Sequence, residues 1–170
     1  MKNLIFLLII ASLSACSGGA DSTAKNAANN YPESTDKIHW VSLEEAEAMS
    51  KAKPKEVMVD VYTPWCGPCK MLDRTTFNDP GVIEHVGKNY YAVKFNAESP
   101  DVVKFAGKEY TNPNFDPSKN PRGRNSPHQL TRDFFQVRGY PTIVVLDESL
   151  GIKDKHVGFK KPDQLLPLLK

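Results

Sequence analysis

Val57-Met58-Val59-Asp60-Val61-Tyr62-Thr63-Pro64-Trp65-Cys66-Gly67-Pro68-Cys69-Lys70 passes from a strand into a helix with almost nothing between, and the rest of the chain is read outward from it. Val57 to Tyr62 is β-branched and apolar on both faces except at Asp60, the pattern of a central strand covered on both sides. An unpaired carboxylate is costly to bury there, so Asp60 needs a partner or a task. A helix is expected to open at Cys66-Gly67-Pro68-Cys69. The chain has three cysteines, Cys16, Cys66 and Cys69, too few for a disulfide-stapled scaffold. Half of a zinc site is the other reading of a CxxC pair. Zinc takes four ligands, and His39, His85, His128 and His156 are scattered without ligand spacing, so no metal is expected.

On the N-terminal side, Ser42-Leu43-Glu44-Glu45 is a capping box, with Leu43, Ala46 and Met49 on one helical face behind it. On the C-terminal side, Asn78-Asp79-Pro80 interrupts the cysteine helix, and Asp79 caps a further helix through Val82, Ile83 and Val86. Tyr90 to Asn96 is the next strand. Ser126-Pro127-His128-Gln129 repeats the capping logic, and Leu130, Phe134 and Val137 predict a helix up to Gly139. Thr142 to Asp147 and Ile152 to Phe159 are strands joined by a turn through Ser149 to Gly151, which makes them antiparallel. Pro162 to Leu169 predicts a final short helix, with Pro167 inside it. The sum is an α/β domain with a mixed central sheet flanked by helices.

Trp65-Cys66-Gly67-Pro68-Cys69-Lys70 matches the thioredoxin active site, and from about Ile38 to Lys170 the chain resembles the thioredoxin family. The resemblance implies the thioredoxin fold, thiol–disulfide oxidoreductase activity and no cofactor. Helical geometry accounts for the spacing. Cys66 at a helix N-terminus has its sulfur near free N–H groups and the positive end of the dipole, which favours thiolate. Cys69, three residues on, lies on the same face within disulfide reach and one turn deeper. Cys66 can attack a client disulfide, and Cys69 can resolve the mixed disulfide. Asp60, six residues before Cys66, matches the buried Asp that serves the resolving cysteine as proton acceptor, and Lys94 matches the Lys that approaches that Asp from the neighbouring strand. Gly139-Tyr140-Pro141-Thr142 matches the cis-proline loop, where a proline at a strand start has no ladder N–H to lose. Tyr140 would offer backbone groups to an extended client, with Trp65, Gly67 and Pro68 on the client-facing surface and Tyr62 packed beside the motif. A Tyr at that position is more similar to protein disulfide isomerases than to bacterial thioredoxin.

The sequence departs from the family at Ser99 to Asn125, an insertion with Pro100, Pro113, Pro117 and Pro121 placed before the cis-proline helix. Val102 to Phe105 and Lys108 to Thr111, separated by Ala106-Gly107, predict a hairpin within it. Such an insertion serves either client or partner selection or as solvated decoration.

Met1-Lys2-Asn3 places a positive charge before the apolar run Leu4 to Ile10, and Ala11 to Ala15 are mostly small: the layout of an export signal. The run is far short of the ~20 residues that span a bilayer. Leu13-Ser14-Ala15-Cys16 resembles the lipobox of bacterial lipoproteins, which implies cleavage before Cys16 and its acylation. Residues 1–15 are thus expected as a signal peptide, 16–36, rich in Ser, Ala and Asn, as a lipid-anchored flexible linker, and 37–170 as the domain, with its insertion at about 99–125.

Forty per cent hydrophobic and a quarter charged, the chain is neither disordered nor membrane-buried throughout, and a spread net charge of +2 argues against nucleic acid as a partner. The expected protein is an exported, lipid-anchored reductase, periplasmic or otherwise extracytoplasmic. Ser17 after the lipid cysteine points to the outer membrane. Its partners would be client proteins with disulfides and a membrane electron donor. A disulfide isomerase or oxidant, and a thioredoxin-fold binding or chaperone module, are the alternatives.

Overall fold

A computed structural model describes residues 19–33, 36–118 and 126–170. The signal peptide expected at 1–15, the lipidation site Cys16 and residues 119–125 of the insertion lie outside the described residues.

Among the described residues the chain forms α1 (Gly19–Asn29), β1 (Trp40–Val41), α2 (Leu43–Ala52), β2 (Glu56–Tyr62), α3 (Gly67–Arg74), α4 (Pro80–Asn89), β3 (Tyr90–Asn96), β4 (Val103–Phe105), β5 (Lys108–Tyr110), β6 (Thr142–Leu146), β7 (Ile152–Val157) and α5 (Pro162–Leu165). Five strands make one mixed sheet in the order β1-β3-β2-β6-β7, while β4 and β5 form a separate hairpin. As its doubly apolar sequence requires, β2 is central, parallel to β3 and antiparallel to β6. Its alternation divides the core. Val57, Val59 and Val61 join Leu43, Ala46 and Met49 of α2 on one face. Met58 joins Leu72 of α3 and Val82, Ile83 and Val86 of α4 on the other. Each such side chain, removed from water, contributes roughly 1.5–3 kcal/mol.

The caps form as their residues predict. Ser42 Oγ accepts from the Glu45 N–H at 3.1 Å, and Glu45 Oε2 accepts from the Ser42 N–H at 2.8 Å. Asp79 Oδ1 accepts from the Val82 N–H at 3.1 Å. The predicted hairpin also forms: Ala106 and Gly107 both take positive φ, 51° and 74°, as a two-residue turn matched to strand twist requires. Val103, Phe105 and Tyr110 are buried in the α2-side core, and the Ala106 N–H donates to Glu47 Oε2 at 2.9 Å. The described part of the insertion is thus built into the domain rather than decorating it.

Three expectations are corrected. The stretch expected as a flexible linker carries α1 on α2, with Ala28 and Tyr31 in the core. Tyr31 holds it there: its hydroxyl donates to the His39 carbonyl at 2.7 Å and accepts the Ala92 N–H at 3.0 Å. The helix expected from Ser126 to Gly139 contracts to one wide turn, Leu130–Phe134, closed by the Phe135 N–H on the Leu130 carbonyl at 2.8 Å. Its capping residues are engaged with the insertion instead. Gln129 exchanges hydrogen bonds with Thr111, and Asn112 Nδ2 donates to the Ser126 carbonyl at 2.7 Å. The last helix stops at Leu165 and tightens into a 3-10 turn, Leu166–Leu168, where Pro167 has no N–H to give. Ahead of α2, Trp40–Val41 forms a two-residue edge strand parallel to β3.

Candidate active site

The chain leaves the C-terminal end of β2 at Tyr62 and turns at once into α3, with the Cys66 N–H donating to the Thr63 carbonyl at 3.1 Å. Cys66 is the N-cap of α3. Its Sγ accepts from the Cys69 N–H at 3.1 Å, in the place where a Ser or Asp oxygen normally sits, and Pro68 occupies the first turn. The two cysteines form a disulfide with Cα atoms 5.3 Å apart. Both sulfurs are therefore committed to each other. Among the described residues, no cluster of three or more His, Cys, Asp or Glu is placed to hold a metal ion.

Asp60 faces α3. Strand alternation puts it on the side of Met58, whose core contains Leu72, and Leu72 and Cys69 are the two α3 residues buried against the sheet. Only 1% of Asp60 is exposed, and its Oδ1 has no hydrogen-bond partner. Its register partner on β3 is Lys94, whose Nζ lies 3.7 Å from Asp60 Oδ2. Burial pushes the Asp60 carboxyl up to about 7; Lys94 pulls it down and Asp73 adds to the rise. Asp73, on α3 one turn beyond Cys69, is bonded directly to Lys94 Nζ. Lys94 thus joins two carboxylates, and its ammonium lies over the Trp40, Tyr62 and Phe77 rings at 5.3, 5.2 and 5.9 Å. Tyr62, expected beside the motif, is placed by this contact against Lys94.

On the outer side the disulfide opens into a groove of about 670 Å³, walled by Trp65, Cys66, Gly67, Pro68, Glu98 and Tyr140, with Arg132 and Arg138 at its rim. Trp65 stays 38% exposed. Its indole N–H donates to Glu98 Oε2 at 2.7 Å, and its ring meets Tyr140 edge-on at 6.0 Å. Burial, then the Glu98 carboxylate, pushes the Tyr140 hydroxyl up to about 12. The Tyr140–Pro141 bond is cis, and the loop is tied to β7 by the Gly158 N–H on the Pro141 carbonyl at 2.8 Å. Pro141 is not itself in the groove wall; it carries the turn that sets Tyr140 there.

The structure therefore gathers Cys66, Trp65, Gly67, Pro68 and Tyr140 around one opening, with Cys69 joined to Cys66 and buried behind it, and Asp60 and Lys94 on the sheet beneath. Two residues of this site escaped sequence reading. Asp73 had one signal, its four-residue spacing from Cys69 on a helix. Glu98 had none of its own, because its partner is 33 residues away. Chemically, the arrangement can open and re-form a disulfide at the wall of a groove while a buried carboxyl near neutrality takes up or returns a proton.

Among known proteins, the model of the thioredoxin-like domain matches residues 43–170. Over 173 aligned residues the chain is 28% identical to the thiol:disulfide interchange protein DsbD of Campylobacter jejuni, covering 97% of this chain and 26% of that protein. A stretch of 41 residues is 42% identical to DsbD of Citrobacter koseri, 24% of this chain and 7% of that protein. The chain thus spans about a quarter or less of these relatives' length. Among solved structures, a thioredoxin from Thermus thermophilus superposes with a TM-score of 0.57 at 20% identity, covering 78% of this chain and 85% of that one. With the match running from the start of α2 to Lys170 and a Cys66–Cys69 disulfide at the strand–helix junction, the chain belongs to the thioredoxin-like domain family.

Proposed function

We propose that this protein is an exported, lipid-anchored reductase of client disulfides. The observation that carries the reading is the Cys66–Cys69 disulfide at the N-terminus of α3, on the floor of an open groove and above a buried carboxyl that titrates near 7. In the reduced protein, the Cys66 thiolate attacks one sulfur of the client disulfide. The client S–S bond breaks, one client thiolate leaves, and Cys66 is held in a mixed disulfide. Asp60 takes the Cys69 proton, and the Cys69 thiolate attacks Cys66 Sγ. The second client sulfur leaves, and the Cys66–Cys69 disulfide of this structure remains. The client has gained two electrons. A dithiol donor at the membrane returns them and resets the pair.

In this reading Lys94 keeps the ionised form of Asp60 accessible despite burial, and Trp65, Gly67, Pro68 and Tyr140 seat the client, with Pro141 shaping the Tyr140 loop. Export and anchoring rest on Met1-Lys2-Asn3, the apolar run Leu4 to Ile10 and Cys16. Among the described residues no helix is long and apolar enough to cross a membrane. An acyl chain on Cys16 would instead hold the domain at the surface, on the reading of Ser17 at the periplasmic face of the outer membrane.

Trapping tests the cycle. Cys69→Ser should accumulate client mixed disulfides on non-reducing gels, Cys66→Ser should accumulate none, and both should fail to turn over a protein disulfide. Equal turnover by wild type and the Cys66→Ser, Cys69→Ser double variant would instead support a binding or chaperone role. Cys16→Ser should move the full-length protein from the detergent to the aqueous phase in a phase-partition assay.

A further inference from the structure

We propose that Arg138 selects clients that carry a carboxylate close to the reactive cysteine. The inference rests on the reductase reading and names its substrate class: extended polypeptides with Asp or Glu within a few residues of the disulfide. The rim and wall of the groove hold three ionic side chains, and two are committed. Arg132 is held by its neighbour Asp133 through Nε at 2.7 Å and Nη2 at 3.0 Å. Glu98 is buried, with Oε2 on the Trp65 indole. Arg138 is exposed and has no ion pair or side-chain hydrogen bond among the described residues.

Its position gives that charge a use. Arg138 is two residues before Tyr140, on the loop that faces Cys66 across the groove, and it also lines a second depression of about 430 Å³ that continues past Gly139 to the exposed Val157. A client strand seated at Cys66 and laid along the Tyr140 loop passes this guanidinium. Its planar donor fork matches a carboxylate in two-point fashion. Among the described residues the groove thus has an Arg132 side paired with Asp133, a Trp65 side whose Glu98 carboxylate faces the indole, and Arg138 as the unpaired cation at the cis-proline end, with Lys155 farther along the second depression. An exposed pair of this kind changes association and its salt dependence more than the chemical step.

The test is a series of peptide disulfides with Glu, Gln or Lys at each position from three before to three after the cysteine. The rate of thiol exchange with the reduced domain is read as the Glu/Gln ratio within each protein. Wild type should show at least one position where Glu is faster than Gln by about 2- to 5-fold at low salt, falling toward equality in about 0.5 M salt. Arg138→Gln should bring that ratio to about 1, Arg138→Lys should keep part of it, and Arg138→Glu should favour the Lys peptide. A ratio of 1 at every position in wild type, or a preference that survives Arg138→Gln, overturns the assignment while leaving the reductase reading intact. Exchange with none of the peptides would overturn both.

Discussion

Lys94 Nζ lies 3.7 Å from Asp60 Oδ2 across adjacent parallel strands, yet its direct bond is to Asp73 on the helix above. The buried carboxyl therefore receives only part of the compensation one lysine can give, and its proton affinity stays near neutrality rather than in the usual carboxylate range.

From this follows a stability signature. Because the folded Asp60 titrates near 7 and the unfolded one near 3.8, the native state holds the extra proton between those values. Stability from this group is then full below pH 4 and declines as pH rises to 7. Asp60→Asn should remove that decline and stabilise the oxidised domain above pH 7, by at most about 4 kcal/mol. The same variant should slow turnover by about 10- to 100-fold, because Cys69 loses its proton acceptor. Urea unfolding at several pH values and a steady-state reductase assay check the two halves separately. A variant that is less stable than wild type at pH 8 contradicts the account.

Removing the competitor should act in the opposite sense on the same group. Asp73→Asn deletes a carboxylate that raises Asp60 and leaves Lys94 free to approach it, so the Asp60 transition should move to lower pH. Carbon-detected titration of the Asp60 carboxyl reads this directly. An unchanged or higher transition would contradict the role assigned to Asp73.

The N-terminal helix should prove part of the folded unit. Tyr31→Phe leaves the Ala92 N–H and the His39 carbonyl without their partner and should cost about 1 kcal/mol. Tyr31→Ala also opens a cavity beside Tyr91, whose ring meets Tyr31 edge-on at 5.0 Å, and should cost about 3 kcal/mol. A chain beginning at Lys37 should be destabilised at least as much as Tyr31→Ala. Equal melting temperatures for the chains starting at 19 and at 37 would contradict the packing.

How much of this was legible depends on how far each residue's partner lies along the chain. The strand from Val57 to Tyr62, the cysteine helix, the Ser42 capping box and the Ala106-Gly107 turn are local patterns, and the structure follows them. Ser126 and Gln129 read as a cap because capping is also local, but Thr111 and Asn112 compete for the same groups from across the insertion. Tyr31 sits among small polar residues, and nothing nearby announces the Ala92 N–H that it binds. β1 is too short to show any period at all. In the site, the cysteine pair and the Tyr140–Pro141 loop come from contiguous motifs, whereas the Lys94–Asp73 and Trp65–Glu98 contacts join separate elements and exist only after folding.

The reductive direction of the cycle is the central claim, and the equilibrium reduction potential of the Cys66–Cys69 pair tests it most directly. Titrated against a dithiol buffer, the domain should have a midpoint close to the value of about −270 mV known for thioredoxin. A midpoint of about −180 to −120 mV, the range of disulfide isomerases and oxidants, would contradict the reductase assignment.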